Sequence, residues 1–190
     1  MKDLLHEEKT FDKIDFSGKK LAGQEYNACT FKNCNFTESS FSGALLIDCV
    51  FETCNLGLAN LDQAKLQTVA FRHSKLLGLN FSRCDNFLFS VSFYHCNLDF
   101  TSYVGKKLKK ITFDTCSIKE ANFAECDLSE AAFLDCDLYQ TLFNRTNLTK
   151  TDFRTAYNYA IDLELNTAKK AKFSSAGLSG LLAKYDLVIE

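Results

Sequence analysis

The 190-residue sequence contains no proline and only three histidines. His6, His73 and His95 are scattered, and they form neither a zinc-ligand spacing nor an H-x-x-x-H pair. The glycine-rich signatures of dinucleotide-binding and P-loop proteins are absent too. These absences argue against metal-dependent and nucleotide-dependent enzymes, and the sequence predicts no cofactor.

Long apolar runs are also missing, so no segment is predicted to span a membrane. The first residues, "MKDLLHEEKTF", do not form a secretory segment. The chain has nine cysteines, an odd number that does not suit a disulfide framework. Together these features predict a protein of the reducing cytoplasm with no membrane partner.

The cysteines follow a period of five, which no metal or redox chemistry requires. One group, in one phase, is Cys29, Cys34, Cys49, Cys54 and Cys84, and the other is Cys96, Cys116, Cys126 and Cys136. A fixed period of this kind indicates an internal repeat.

Large apolar residues obey the same period, two positions after the cysteines. The first series runs every fifth residue from Phe11 to Phe81, and a second resumes at Leu88 and runs to Phe153 after a slip of two residues. All phenylalanines except Phe87, Phe89 and Phe100 occupy the repeated position. Beyond Phe153 the series frays: Asn158 and Ala168 interrupt it, while Leu163, Phe173 and Leu178 keep it. We therefore expect these side chains to share the interior.

The positions two residues before the large ones are mostly small, and all nine cysteines lie in this class of position. Because cysteine is small and readily buried, this placement favours a structural role over disulfides, zinc binding or nucleophilic catalysis. Cys96, Cys116 and Cys136 should stack in one column, and such thiols should be inert.

A spacing of twenty residues suggests how the repeats close. The aromatic ladder consists of Phe11, Phe31, Phe51, Phe71, Phe93, Phe113, Phe133, Phe153 and Phe173. Four five-residue turns would make one coil, and stacking coils about 4.8 Å apart as parallel β-ladders gives a rod of roughly 40 Å. The missing proline fits, because each coil must donate backbone N–H groups to the next.

The repeated unit resembles that of the pentapeptide repeat proteins: a small residue, Asp or Asn, Leu or Phe, then two variable residues. The resemblance covers residues 11–178 and implies an all-β fold, a right-handed quadrilateral parallel β-helix with a short C-terminal helix as a cap. We expect a lead-in over residues 1–10, an irregularity within residues 82–92, and a cap and dimerisation segment over residues 179–190.

An interior filled by its own side chains leaves no predicted pocket for a small-molecule substrate, so the protein is not expected to be an enzyme.

Candidate partner-binding carboxylates are Asp114, Glu120, Glu125, Asp127, Glu130, Asp135 and Asp137. Glu120, Glu125, Glu130 and Asp135 repeat every five residues and should ring one coil. A basic band, residues 105–110, precedes them, and Lys106 stands at a small inward position, where we expect local irregularity. Solvated surface is the alternative interpretation of both charge runs.

The phase slip contributes a second candidate surface, formed by Asp85, Asn86, Phe87 and Phe89. Phe87 and Phe89 are expected to leave the interior register. A simple bulge and a partner-contacting loop are both compatible with this pattern.

The C-terminal segment is richer in apolar residues than a cap requires. Its candidate dimer residues are Leu178, Leu181, Leu182, Tyr185, Leu187, Val188 and Ile189. Leu178, Leu181, Leu182 and Tyr185 have helical spacing, and they should at least cover the last β-edge.

This ending is similar to that of the Qnr-like and mycobacterial fluoroquinolone-resistance members of the family. That resemblance implies a nonenzymatic homodimer, joined through its C-termini, that imitates DNA and binds a type II topoisomerase, either DNA gyrase or topoisomerase IV. It implies no direct binding of nucleic acid. Two alternatives stay open: a scaffold for an unknown protein partner, and an enzyme whose cleft forms between two subunits.

Overall fold

The computed structural model describes residues 4–185, 187 and 188. It confirms the predicted fold, because the chain winds into a right-handed quadrilateral parallel β-helix that ends in a short helix. Two faces of the rod carry regular three- or four-residue strands, all parallel.

The first face contains four strands, β1 (Leu5–Glu7), β3 (Glu25–Asn27), β5 (Leu45–Ile47) and β7 (Lys65–Gln67). The second face contains seven strands, β2 (Thr10–Asp12), β4 (Thr30–Lys32), β6 (Val50–Glu52), β8 (Val69–Arg72), β9 (Val91–Tyr94), β10 (Thr112–Asp114) and β11 (Ala132–Leu134). The third and fourth faces are turns linked by single parallel bridges, such as Asn35 to Asn55 and Asn80 to Ser102. Strands are short because each face has only five residues.

At the corners of the coil the backbone adopts the left-handed conformation, with a positive φ. Every fifth residue from Glu8 to Gly78 and from His95 to Lys150 has a positive φ, for example 54° at Lys13, 57° at Glu38 and 53° at Glu120. Most corner N–H groups still bond to a carbonyl of the next coil, as in the 3.0 Å bond from Glu38 N to Gly57 O. Because proline has no N–H and fixes a negative φ, neither condition can be met by proline.

The aromatic ladder stacks as the period predicts. Its eight successive ring pairs, from Phe11 on Phe31 to Phe153 on Phe173, have centroids 4.7 to 5.4 Å apart. A second aromatic column contains Phe81, Tyr103, Phe123 and Phe143. The two columns meet edge to face, as Phe113 and Phe123 do at 82°, so the rings of neighbouring columns interlock.

All nine cysteines are free and buried, which confirms their predicted position. Most of their thiols donate to main-chain carbonyls, for example from Cys126 Sγ to Tyr103 O at 2.9 Å. Burial raises the pKa of the Cys126 thiol to about 11 and that of Cys54 to about 12. These thiols are therefore held protonated near neutral pH.

The phase slip begins at a 3-10 helix, Phe81–Arg83, and two expectations about it were wrong. Leu88 is exposed, although the period placed it inside. Phe89 is partly buried against the core, with its ring 6.4 Å from that of Phe81, although it was expected to leave the interior. The inserted residues let the chain bulge outward and return one residue late, so that Phe89 takes the inward place.

Lys106 was expected to disturb its own coil, and that expectation was wrong as well. Its backbone keeps the regular turn, with a 2.9 Å bond from Lys106 N to Tyr103 O. The side chain is buried and reaches into the preceding coil. The irregularity therefore lies in that preceding coil, at the bulge.

The C-terminal end leaves the five-residue register after Ala156. Tyr159 and Ile161 are buried there, whereas Leu163 and Leu178, expected inside, are exposed. The rod is closed by α1 (Ser179–Leu182), between 3-10 turns at Ser175–Gly177 and Ala183–Tyr185. Across the part of the chain that is described, no helix is long and apolar enough to cross a membrane.

Candidate protein-interaction surfaces

The acidic ring lies at the corners of one coil. Glu120, Glu125, Glu130 and Asp135 all have left-handed backbones and exposed side chains. One carboxylate therefore stands at each of the four corners. A partner that docks on a single face can contact only the two carboxylates at its edges.

The other three candidate carboxylates lie on the faces and are partly buried. Asp127 accepts hydrogen bonds from Ser129 N at 3.0 Å and from Asn147 Nδ2 at 2.9 Å. Asp114 accepts one from the hydroxyl of Thr115 at 2.9 Å. Asp127 therefore helps to hold its turn and the stacking on the next coil, whereas the Asp114 hydrogen bond is local to its own corner.

Asp137 is the most engaged of the seven. Burial raises its pKa, but hydrogen bonds from Asn158 and from Lys119 outweigh burial and lower the pKa overall. The Lys119 ammonium lies 3.2 Å from the carboxylate. The negative charge of this carboxylate is therefore already balanced by Lys119 of the same chain.

The basic band neutralises a second carboxylate. Lys109 and Lys110 of the preceding coil lie 3.3 and 3.9 Å from Glu130, and the hydrogen bond from Lys109 lowers the pKa of Glu130. The structure thus distributes the seven acids around the rod and does not gather them into one stripe.

The loop at the phase slip presents two apolar side chains to solvent. Phe87 is 66% and Leu88 62% exposed. Asp85 accepts a 2.7 Å hydrogen bond from Phe87 N, which tightens the turn. Asn86 accepts a 2.6 Å hydrogen bond from the ammonium of Lys106, so the loop is fastened to the coil that follows it.

The sequence did not predict Lys106 as the anchor of this loop. Its ammonium also donates to the Cys84 carbonyl at 2.6 Å and lies 4.8 Å from the centre of the Phe89 ring. Burial lowers the pKa of Lys106, and the nearby Cys84 and Asp85 oppose that shift. The sequence does carry a sign of this anchoring role. Lys106 is a long residue at a position that is usually small, and it lies one coil after the two-residue insertion.

The C-terminal candidates form an exposed apolar surface. Leu178, Leu182, Tyr185, Leu187 and Val188 are exposed, and Ile189 lies outside the described residues. Leu181 instead packs against the core as the cap. Leu178, Leu182 and Tyr185 line a concavity of about 420 Å³ with Leu163. Lys184 joins this surface to Asp162 and Glu164, at 2.8 and 2.7 Å.

The structure shows two further candidate surfaces that were not predicted from the sequence. At the N-terminal end, a concavity of about 630 Å³ has Phe11, Phe16 and Tyr26 among its lining residues, together with Lys9 and Lys19. The lysines stand at positions that are small elsewhere, which was the available signal.

The other missed surface lies midway along the rod, where Leu58, Leu77 and Phe100 are exposed on neighbouring coils. Phe100 is one of only three phenylalanines off the repeated position. That departure was the signal, because a residue that leaves the inward register of a regular coil must face solvent.

In the described part of the chain, no three His, Cys, Asp or Glu side chains come together in an arrangement that could hold a metal ion.

Residues 24–99 match the family described as the pentapeptide repeat region, and residues 116–157 match pentapeptide repeats in eight copies. No curated protein sequence is significantly similar to the chain. Among solved structures, trypsin-treated QnrB1, described as a plasmid-mediated fluoroquinolone resistance protein, is 23% identical with a TM-score of 0.53. The match covers 98% of this chain and 90% of QnrB1.

A second similar structure is HetL, a pentapeptide repeat protein involved in heterocyst differentiation regulation in the cyanobacterium Nostoc. It is 15% identical with a TM-score of 0.58, and the match covers 90% of this chain and 87% of HetL. At these identities the two structures share the fold with this chain.

Proposed function

This chain belongs to the pentapeptide repeat family, and we propose that it is a nonenzymatic rod that acts by binding another protein. The observation that carries the proposal is the filled interior, in which stacked rings and buried thiols occupy the columns from coil to coil. Binding is therefore assigned to the outer faces and ends of the rod.

The partner we propose is a type II topoisomerase, DNA gyrase or topoisomerase IV, in the cytoplasm. Support comes from the likeness to QnrB1 over nearly the whole chain and from exposed carboxylates, with Glu120, Glu125 and Asp135 at three corners of one coil. Carboxylates at the surface would contact basic groups that otherwise hold DNA phosphates.

A scaffold for a different protein is the second candidate, and a specific observation favours it. Glu130 and Asp137 are paired with lysines of this chain, and the net charge is only −2. Both facts weaken the imitation of a uniformly charged duplex. HetL, described as involved in heterocyst differentiation regulation, has the same fold, so the fold alone does not single out fluoroquinolone resistance.

We further propose a homodimer through the C-terminal end. Leu178, Leu182, Tyr185 and Leu187 leave more apolar surface exposed than the cap itself uses. A twofold contact would bury the same surface on both subunits and double the length of the rod.

The deciding experiment measures supercoiling by purified gyrase and decatenation by topoisomerase IV, with and without a quinolone. We expect inhibition or protection at micromolar protein, weakened in a variant carrying Glu120→Gln, Glu125→Gln and Asp135→Asn. The matched control is Glu8→Gln, which removes an exposed corner carboxylate from a distant coil. Absence of inhibition, protection and binding would reject the topoisomerase partner in favour of the scaffold.

A further inference from the structure

One corner of the rod carries a run of side chains that the core does not use. Glu38, Leu58, Gly78, Phe100 and Glu120 follow one another there, one per coil. Backbone bonds link their coils, from Leu58 N to Leu77 O at 3.0 Å and from Gly78 N to Asp99 O at 2.9 Å. We call the apolar part of this corner, Leu58, Leu77, Gly78 and Phe100, the mid-rod ridge.

The ridge is apolar and open to solvent. Leu58 is 60%, Leu77 40% and Phe100 54% exposed. A Cβ atom added to Gly78 would lie 2.8 Å from Leu58 Cδ2, so the Leu58 side chain lies across this glycine. The absence of a side chain at Gly78 therefore joins two levels of the rod into one apolar surface.

The backbone at these positions argues against a role in stability. Leu58 and Phe100 have φ values of 58° and 61°, a conformation that disfavours residues with a Cβ atom. Glycine meets the same requirement at Gly18 and Gly78 of the same corner. Because glycine occupies this corner in other coils, the fold needs neither large side chain.

Charge marks both ends of the ridge. Glu38 and Glu120 are exposed, and in the part of the chain that the structure describes neither forms an ion pair. Four coil steps separate them, about 19 Å, and two steps separate Leu58 from Phe100, about 10 Å. Lys75 is exposed on the adjoining face, and Lys119 is paired with Asp137.

We propose that the mid-rod ridge is a docking site for a protein segment that places apolar side chains between two basic side chains. The inference rests on the proposed protein-binding function and names the surface that performs it. An apolar centre with acidic ends repels phosphates, so the chemistry selects a protein over a nucleic acid. A helix laid along the corner fits, because fourteen residues rise about 21 Å.

The test uses a double variant, Leu58→Gly with Phe100→Gly. Both positions are left-handed, so glycine relieves the backbone while it removes the side chain. The matched control is Leu88→Gly, since Leu88 is also exposed and left-handed, with a φ of 55°, but lies on the loop. Thermal melting should show that all variants fold.

The probe is a stapled fifteen-residue helical peptide with Arg at both ends and Leu, Phe and Leu at its fourth, eighth and eleventh positions. A second peptide carries Glu in place of both Arg residues. We expect the full-length protein to bind the Arg peptide at least tenfold more tightly than the Glu peptide. The double variant should lose at least tenfold, and Leu88→Gly should stay within twofold.

Purified gyrase provides the second arm. If gyrase binds, the double variant should lose that binding as well. If gyrase does not bind but the peptides bind in the expected pattern, the ridge is supported as a docking site and the topoisomerase partner is rejected. Equal binding of both peptides, unchanged binding by the double variant, or loss of binding only in Leu88→Gly would overturn the ridge.

Discussion

The ammonium group of Lys106 donates a 2.6 Å hydrogen bond to the carbonyl oxygen of Cys84 in the preceding coil. The phase slip in that coil leaves the Cys84 carbonyl oxygen and the Asn86 side chain within reach of the buried Lys106 side chain. The Lys106 ammonium donates a hydrogen bond to each of these two acceptors. The loop that carries Phe87 and Leu88 is thus held in place by the regular coil that follows it.

Replacing Lys106 by methionine should loosen this loop. Methionine keeps a long apolar stem but removes the donors, so two acceptors lose their partner, at a cost of about 1–3 kcal/mol in unfolding free energy. Hydrogen exchange of residues 84–90 should accelerate. Lys107→Met, at an exposed neighbour, should change stability by less than about 0.5 kcal/mol. Unchanged exchange in Lys106→Met would show that the loop holds itself.

Truncating a rung of the second aromatic column should strongly destabilise the rod. Phe123 is fully buried and stacks on Tyr103 at 4.7 Å and Phe143 at 5.5 Å. Phe123→Ala should cost about 3–5 kcal/mol in urea unfolding, because it leaves a cavity inside the stack. Tyr139→Ala, at an exposed aromatic, is the control and should cost far less. Equal costs would contradict the inward assignment.

The repeat could be predicted because each regular face supplies one large inward residue, so that counting by five finds Phe113 and counting by twenty finds its stacked neighbour Phe133. Counting failed where the chain changes register. Leu88 lies five residues before Phe93, yet Phe89 points inward, because the shape of the bulge depends on how its backbone returns to β9. At the C-terminal end the period points to Asn158, but Tyr159 is the buried residue, because the chain changes register there as well.

The candidate surfaces were predictable to the extent that they follow the period. The corner positions of Glu120 and Glu125 follow directly from the five-residue period. The pairing of Lys109 with Glu130 does not, because it depends on side-chain conformations across two coils. The period marks only inward residues, so it did not predict Phe100, which is exposed because it departs from the period.

Stability should fall steeply in alkali. Burial raises the pKa of Cys49 to about 11, and likewise that of Cys126, whereas an unfolded thiol titrates near about 8.5. The native state therefore holds the proton more tightly, and stability present below pH 8.5 is lost as pH rises toward about 11. Each such thiol contributes a slope of up to about 1.4 kcal/mol per pH unit.

Urea unfolding from pH 6.5 to 10.5 checks this dependence. Cys49→Ala combined with Cys126→Ala should flatten the alkaline slope while leaving the curve parallel to that of the unaltered protein between pH 6.5 and 7.5. The same thiols should resist maleimide at pH 7. Rapid labelling of the native protein, or an alkaline slope unaffected by the double substitution, would contradict protonated buried thiols.

Alanine at Gly180 should detach the cap. A Cβ atom there would clash with the carbonyl oxygen of Tyr159 and lie 2.8 Å from its ring. Gly180 O also accepts a 3.0 Å hydrogen bond from Ile161 N. We expect the melting temperature to drop and hydrogen exchange to increase over residues 157–163, whereas Ser179→Ala, one residue earlier and exposed, should leave both unchanged. A stable Gly180→Ala protein would show that the helix need not pack this closely.

The C-terminal surface should control the oligomeric state. Light scattering at tens of micromolar should give the full-length protein twice the mass of one chain. Leu178→Glu with Leu182→Glu should give monomers, because a twofold contact would bring four carboxylates together in an apolar interface. Leu181, which packs against the core, is retained, so the melting temperature of the subunit should be preserved.

The control for this experiment is Leu142→Glu, which places the same charge at an exposed leucine on the side of the rod. If the topoisomerase proposal is correct, the monomeric variant should also lose inhibition of gyrase, since a rod of half the length spans half of the DNA-binding surface. A full-length protein that scatters as a monomer would exclude the dimer. An inhibitory monomeric variant would keep the partner and remove the need for two subunits.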